Sequence, residues 1–182
     1  MDRSIIISIH LTDMKKIFLF SLLIIFLSGC KKGNDSSSPQ VDIYVLKSFS
    51  PGINKSTTPS STTISDAVLG AKIVTNSDIL SYNQTTRTFK LKKNISGTIK
   101  DFGPDKAFAV TLNTKPIYYG TFHPGFMSSL RFGIATIDPI MVQTELQINY
   151  ILDQKNPALE KLDKRNDPSI LQAFNLSRRL IK

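Results

Sequence analysis

Short runs in which apolar and polar residues alternate constrain the fold of this 182-residue chain more than any other feature. In residues 86–93 (TRTFKLKK), the alternation sets Phe89 and Leu91 on one side and polar residues on the other, which is typical of a half-buried strand. Further segments rich in β-branched and aromatic residues are predicted as strands: 41–49, 106–112, 116–122, 131–137 and 144–152. The turn 113–115 makes a hairpin of two of them, and Gly120 indicates a bulge or a close backbone approach.

Helix signals are fewer. Asp167 as N-cap and Pro168 as first helical residue predict a C-terminal helix over 168–182. Short helices are predicted at 79–82, after the capping signal of residues 75–78, and at 94–102. Residues 50–63 are predicted as a loop, and 64–74 are ambiguous, with a weak helix as one option. Together these elements predict an α+β fold with an antiparallel sheet of about five strands, short helices and a C-terminal helix.

The composition of the chain excludes several kinds of protein and of functional site. Hydrophobic residues make up 41% of the chain and charged residues 20%, which is a globular composition. A single cysteine, Cys30, excludes an internal disulfide framework and a multi-cysteine metal site. The sequence contains no G-x-S-x-G, H-E-x-x-H, phosphate-loop or dinucleotide-binding motif. We therefore expect neither a cofactor nor a metal ion.

The segment from Met14 to Cys30 combines a positive pair, Lys15 and Lys16, with an uncharged apolar run over 17–27. That run is too short to span a bilayer, so it is typical of a secretory signal; the alternative is an uncleaved anchor helix. Leu-Ser-Gly-Cys at 27–30 resembles a bacterial lipobox. The resemblance implies diacylglycerol on Cys30, cleavage before it and acylation of the new amino end.

Several acyl chains hold a protein stably to a membrane, whereas one is marginal. The expected organisation is an upstream start extension (1–13), a signal peptide (14–29), a lipidated flexible tether (30–40) and a single α+β domain (41–182). Lys31 follows Cys30 where an aspartate would retain enterobacterial lipoproteins at the inner membrane. That resemblance favours the outer membrane of the bacterial envelope.

Residues 75–140 carry a second resemblance. An I-x-S-Y turn at 79–82, a T-F-K-L strand at 88–91, a P-I-Y-x-G-x-F hairpin strand at 116–122 and a following Ser-Ser pair at 128–129 resemble a family of small uncharacterised secreted or lipid-anchored bacterial proteins. His123 stands where that pattern has tryptophan. The resemblance implies an envelope setting and the same fold class, and it carries no function.

Catalytic candidates are His123, Asp138 and Glu145. A lone loop histidine can act as a general base, and two carboxylates at a defined separation can hydrolyse a glycosidic bond. Each residue also has an ordinary explanation: a solvated loop histidine, a turn aspartate before Pro139 and a charge at a strand end. A small envelope hydrolase using these groups is the alternative function.

Binding candidates are the aromatic residues Tyr118, Tyr119, Phe122 and Phe126, which could line a groove for a sugar or a peptide. Alternation places Tyr118 and Phe122 on one face and Tyr119 on the other, so at least one side is expected in the core. The net charge of +9 suggests an anionic lipid or envelope polymer, or a protein partner. Nucleic acid is a poor candidate outside the cytoplasm. The favoured function is a non-enzymatic, lipid-anchored binding module.

Overall fold

A computed structural model of the chain describes residues 38–56, 60–152 and 156–182. Within these ranges the strands are β1 Val41–Asn54, β2 Ser61–Val74, β3 Ile79–Asn83, β4 Thr88–Leu91, β5 Ala107–Leu112, β6 Lys115–Phe122, β7 Ala135–Ile137, β8 Glu145–Gln147, β9 Asn149–Tyr150 and β10 Leu180–Ile181. The α-helices are α1 Ser96–Ile99, α2 Pro157–Glu160 and α3 Pro168–Leu176, and a single 3-10 turn spans Asn76–Asp78. The predicted segments 1–13 and 14–29, Cys30 and most of the tether lie outside the described residues.

The strands form two mixed sheets. One has six strands in the order β2-β1-β5-β6-β7-β9, and the other has four in the order β10-β3-β4-β8. The sheet-rich α+β class is confirmed, but the prediction of one antiparallel sheet of about five strands is wrong. Two pairs are parallel, β6 with β7 and β10 with β3. Because β7 runs parallel to β6, the residues between them return the chain toward the end of the sheet at which β6 begins.

The loop predicted at 50–63 and the weak helix considered at 64–74 are wrong, because a long hairpin of β1 and β2 occupies both segments. Its threonines and valines favour extended backbone. The register shifts at several places, and Asp66 adopts a positive φ of 49°. Such bulges bend a hairpin and increase its twist.

The distal half of this hairpin folds over the outer face of the six-stranded sheet. Leu46, Ala107 and Ala109 form a second apolar cluster there, joined by Ile64 and Tyr119. At the hairpin's far end the Thr62 amide donates to the Phe132 carbonyl over 3.0 Å. The six-stranded sheet is therefore curved enough to bring β2 beside the segment that precedes β7.

The larger core is a single cluster to which both sheets contribute. Tyr82, Phe89 and Phe174 pack with ring centroids 4.6, 5.3 and 5.9 Å apart. The alternation read in residues 86–93 is confirmed, since Phe89 and Leu91 are buried here. The predicted hairpin of β5 and β6 is confirmed as well.

The segment predicted as one strand at 144–152 is divided at Ile148. β8 pairs with β4 in the four-stranded sheet, and β9 pairs with β7 in the six-stranded sheet. Arg165 donates from Nη1 to the Ile148 carbonyl over 3.0 Å and binds Asp163 through Nη2 over 2.7 Å. The chain therefore passes between the sheets at a point held by a largely buried guanidinium.

The C-terminal helix is shorter than predicted. Asp167 accepts from the Ser169 amide over 3.0 Å, which confirms the N-cap, but α3 ends at Leu176 and β10 follows. Arg179 donates to the carbonyls of Asn76 and Ile79, which holds the chain beside β3. The helix predicted at 79–82 is wrong, because those residues form β3 and pair with β4.

The helix predicted at 94–102 is reduced to α1, and the strand predicted at 131–137 is reduced to β7. Asn94 Oδ1 accepts from the Ser96 amide over 2.8 Å just before α1, whose N-cap residue is Ile95. Residues 106–112 and 116–122 are recovered nearly in full as β5 and β6.

Gly120 makes the close approach that the sequence indicated. A Cβ there would overlap the Phe108 ring and stand 2.5 Å from the Ala135 carbonyl. We predict that Gly120→Ala lowers the free energy of unfolding by about 1–3 kcal/mol or more, because neither neighbour can move without repacking the core. Gly97→Ala is the matched control, because no neighbouring atom lies within 4 Å of a Cβ placed there. Its free energy of unfolding should stay the same or rise by at most about 0.5–1 kcal/mol. Equal effects of both in urea unfolding would contradict this packing.

Asp163 links stability to pH. Burial on its own raises the pKa of this carboxyl, but the hydrogen bonds and charge of Arg165 outweigh it and hold the pKa below 3.8. Its stabilisation is therefore complete well above pH 3.8 and is lost as the pH falls through the lowered value. We predict that Asp163→Asn costs about 3 kcal/mol at neutral pH, since Arg165 stays buried without its partner, and that the difference shrinks at about pH 2. A pH-independent difference in urea unfolding would contradict this assignment.

Candidate binding cleft on the four-stranded sheet

The outward face of the four-stranded sheet carries polar side chains in register across three strands. Ser81 pairs with Lys90, which pairs in turn with Glu145, and together they make one row. Asn83, Thr88 and Gln147 make the second row in the same way. Directly opposite residues have Cβ atoms about 4.5–5.5 Å apart, so each row is a continuous ladder of hydrogen-bonding groups.

These ladders line a cleft of about 680 Å³. Six of the twelve lining residues carry a hydroxyl or an amide group, and the lining also has one lysine, Lys90, and two carboxylates, Asp138 and Glu145. Met141, which is 75% exposed, and Ile181 add apolar surface. The cleft therefore offers many neutral donors and acceptors and no excess of positive charge.

Asp138 shapes one wall. Its Oδ2 accepts from the Gly125 amide and its Oδ1 from the Ile140 amide, both over 3.1 Å. The carboxylate thus fastens the loop after β6 to the loop after β7. Because both oxygens already accept backbone hydrogen bonds, Asp138 acts here as a structural clasp.

The three catalytic candidates are brought together only in part. Asp138 and Glu145 line the same cleft, whereas His123 is not among its lining residues. The His123 amide donates to the Ile137 carbonyl over 2.8 Å, and its Nδ1 is buried with no partner among the described residues. In the described ranges no three His, Cys, Asp or Glu residues group closely enough to hold a metal ion.

The four aromatic candidates do not share one groove. Tyr118 and Phe122 face the larger core, where Phe122 packs edge-on against Phe102 and Phe108 at centroid distances of 4.9 and 5.6 Å. Tyr119 packs on the opposite face, and Phe126 is 78% exposed. Burial raises the pKa of Tyr118 well above its usual value. Tyr118 and Tyr119 both line a second, smaller cleft instead.

Sequence reasoning missed the contribution of β3 to the larger cleft. Ser81 and Asn83 fell in a segment predicted as a helix, although they alternate with the buried Tyr82. The alternation over 80–83, read beside the clear period of two in residues 86–93, is the signal that identifies them; a register shift between Ile79 and Ser81 ends it there.

The cleft's Asp138 wall lies at the opposite end of the six-stranded sheet from the start of β1. The Gln40 carbonyl accepts from the Asn113 amide, beside the turn from which β6 departs. β6 has eight residues and ends next to the loop that Asp138 fastens. At about 3.3 Å per residue, β6 separates the two ends by about 26 Å.

No family model, curated protein or solved structure matches this chain. Among the described residues, no helix has the length and hydropathy that crossing a bilayer requires. The geometry of the cleft and the sequence are therefore the basis for assigning a function.

Proposed function

We propose that this chain is a non-enzymatic binding module of the bacterial envelope, lipid-anchored at Cys30, whose four-stranded sheet binds an uncharged glycan strand. The observation that carries the proposal is the pair of in-register ladders that line one open cleft. A glycan presents hydroxyl and amide groups along its length. Ladders of Ser, Thr, Asn and Gln side chains can satisfy such groups one by one.

The charges of the cleft favour a neutral polymer. The lining holds one lysine, Lys90, which pairs with Glu145, and a second carboxylate, Asp138, so an anionic polymer would meet net repulsion here. The chain's overall charge of +9 remains a separate reason to expect contact with anionic lipid or envelope polymer elsewhere on the surface. A protein partner stays a prediction without a supporting contact.

The anchor and the cleft suit a bridging role. Residue 38 follows Cys30 by eight residues, a span that reaches at most about 28 Å when fully extended. β1 then starts at the end of the sheet remote from Asp138. A module anchored through this segment could bridge the membrane and envelope polymer that lies within its reach.

A hydrolase is the second candidate, because Asp138 and Glu145 line the same cleft. A glycosidase needs one carboxyl group as acid and a second as base or nucleophile. The backbone hydrogen bonds at both oxygens of Asp138 oppose this role. Release of reducing ends from wall glycan, abolished equally by Asp138→Asn and Glu145→Gln, would favour the hydrolase over the binding module.

Glycan binding is tested with the detergent-solubilised full chain and soluble, uncharged wall-glycan fragments. We predict that Gln147→Leu weakens binding about tenfold in calorimetry, because the lost amide leaves sugar groups unpaired. Gln143→Leu, an exposed position outside the cleft lining, is the matched control and should bind like the unsubstituted chain. Raising the salt concentration should have little effect. No binding, equal loss in both variants or steep salt dependence would refute a neutral-glycan site.

The anchor is tested separately by Cys30→Ser. We predict that the unsubstituted protein fractionates with membranes and yields a mature chain starting at acylated Cys30, since several acyl chains hold stably. The variant should lose both properties. Fractionation that is the same for both chains, with the leader still removed, would show that no lipid at Cys30 holds the protein.

A further inference from the structure

A third cleft, of about 420 Å³, lies at the turn of the β3–β4 hairpin. The described residues that line it include no side-chain carboxylate, and they are two cations, Arg87 and Lys182, and three neutral polar residues, Gln84, Thr85 and Asn166. The glycan cleft has one lysine and two carboxylates, and the two clefts share no lining residue. The side chains of this third cleft therefore favour an anion.

Arg87 has an unusual backbone conformation for an arginine. Its φ is 56°, in the left-handed region that glycine, asparagine and aspartate adopt more readily. Residues held in such conformations cluster at functional sites. The turn alone would favour glycine or asparagine here, which points to a role for the arginine side chain.

The guanidinium of Arg87 is fixed at one nitrogen and available at another. Nη1 donates to the Thr85 carbonyl, and Nε is buried and unpaired. Nη2 makes no hydrogen bond in the described ranges and is not among the buried unpaired atoms, so it keeps accessible surface. No ion pair in those ranges engages Arg87. Nη2 is therefore the nitrogen that is left to bind a ligand in the cleft.

The backbone amides of the turn are already engaged. Asn83 Oδ1 accepts from the amides of Thr85 and Thr86, each over 2.9 Å. The Gln84 amide donates to the Ile181 carbonyl over 2.8 Å. The side chains of Gln84 and Thr85 make no hydrogen bond within the described part of the chain. An anion would therefore be bound by side chains, with one amide and one hydroxyl donor beside the two cations.

Asp163 is the carboxylate that lies within range of the charge of Arg87. Burial raises its pKa, and Arg165 and then Arg87 lower it. Asp163 is already paired, because it accepts from Arg165 Nε over 2.9 Å and from Nη2 over 2.7 Å, and it does not line the cleft. Since Arg165 neutralises this carboxylate, the charge of Arg87 is left for another anion.

We propose that this cleft binds a phosphate monoester group. Such a group carries nearly two negative charges and three strong acceptor oxygens, which match two cations and two neutral donors. A carboxylate offers one charge and two oxygens and would leave donors unpaired. The site locates part of the anion binding expected from the net charge of +9, and it is independent of glycan binding.

The test uses the full chain in non-ionic detergent with glycerol 3-phosphate as probe, followed by the backbone amide NMR signals of Gln84, Thr85 and Lys182 at constant ionic strength. We expect saturable shifts with a Kd of about 1 mM. Dimethyl phosphate, which has one charge and two free oxygens, should bind at least about fivefold more weakly. A Kd above about 20 mM for glycerol 3-phosphate, or equal binding of acetate, would overturn the proposal.

Arg87→Gln should weaken glycerol 3-phosphate about tenfold or more, because a charge-assisted hydrogen bond is lost. Arg178→Gln is the matched control, since Arg178 also has a φ of 56° but is outside the lining, and it should bind like the unsubstituted chain. Lys182 is exposed, so Lys182→Gln leaves the fold intact and should weaken binding about two- to fivefold at low salt. Equal effects of the two arginine variants, or no effect of Lys182→Gln, would contradict the site.

A phosphate monoester can come from a soluble molecule or from a lipid headgroup, and dihexanoyl phosphatidic acid distinguishes the two. Affinities within about threefold of glycerol 3-phosphate would support the site with a soluble phosphate as its ligand. Tighter lipid binding, by more than about tenfold and lost in Arg87→Gln, would support it with a headgroup as the ligand. Lipid binding that Arg87→Gln leaves unchanged, with no binding of glycerol 3-phosphate, would overturn it.

Discussion

The largely buried guanidinium of Arg165 occupies the point where the chain leaves one sheet and enters the other. Its Nη1 binds the Ile148 carbonyl, its Nε and Nη2 bind Asp163, and it lies 5.4 Å from the centroid of the Tyr150 ring. The Arg165 carbonyl accepts from the Tyr82 hydroxyl over 2.8 Å, which connects the same residue to β3. β3, β8 and β9 are therefore positioned relative to one another by a single residue whose side chain is 11% exposed.

The cleft depends on that arrangement. β8 supplies Glu145 and Gln147 to the two ladders, and it reaches the edge of the four-stranded sheet only because the chain turns away at Ile148. The opposite edge depends on Arg179, whose hydrogen bonds to Asn76 and Ile79 bring β10 alongside β3. Two half-buried arginines thus hold the edge strands of a surface that itself contains mostly neutral groups.

Local patterns predicted the local parts of this fold. The alternation that contains Phe89 and Leu91 predicted β4, and the N-cap residue Asp167 predicted the start of α3. The break at Ile148 carries no local mark, because it depends on Arg165, seventeen residues further along the chain. Threonine-rich residues 61–63 resembled a loop, since Ser and Thr suit both turns and exposed strands. Among the residues that line the cleft, Asp138 and Glu145 were identified from residue type alone. Ser81 and Asn83 could be identified only once β3 was known to pair with β4. Lipidation at Cys30 stays a prediction from the sequence.

Backbone amide NMR of the full chain, titrated with uncharged wall-glycan fragments, tests the binding surface most directly. We predict that the shifted amides cluster on β3, β4 and β8, around Ser81, Thr88 and Gln147. No amide in the turn between β5 and β6 should shift. Shifts confined to that turn, or shifts scattered without saturation, would contradict the assignment of the four-stranded sheet as the binding face.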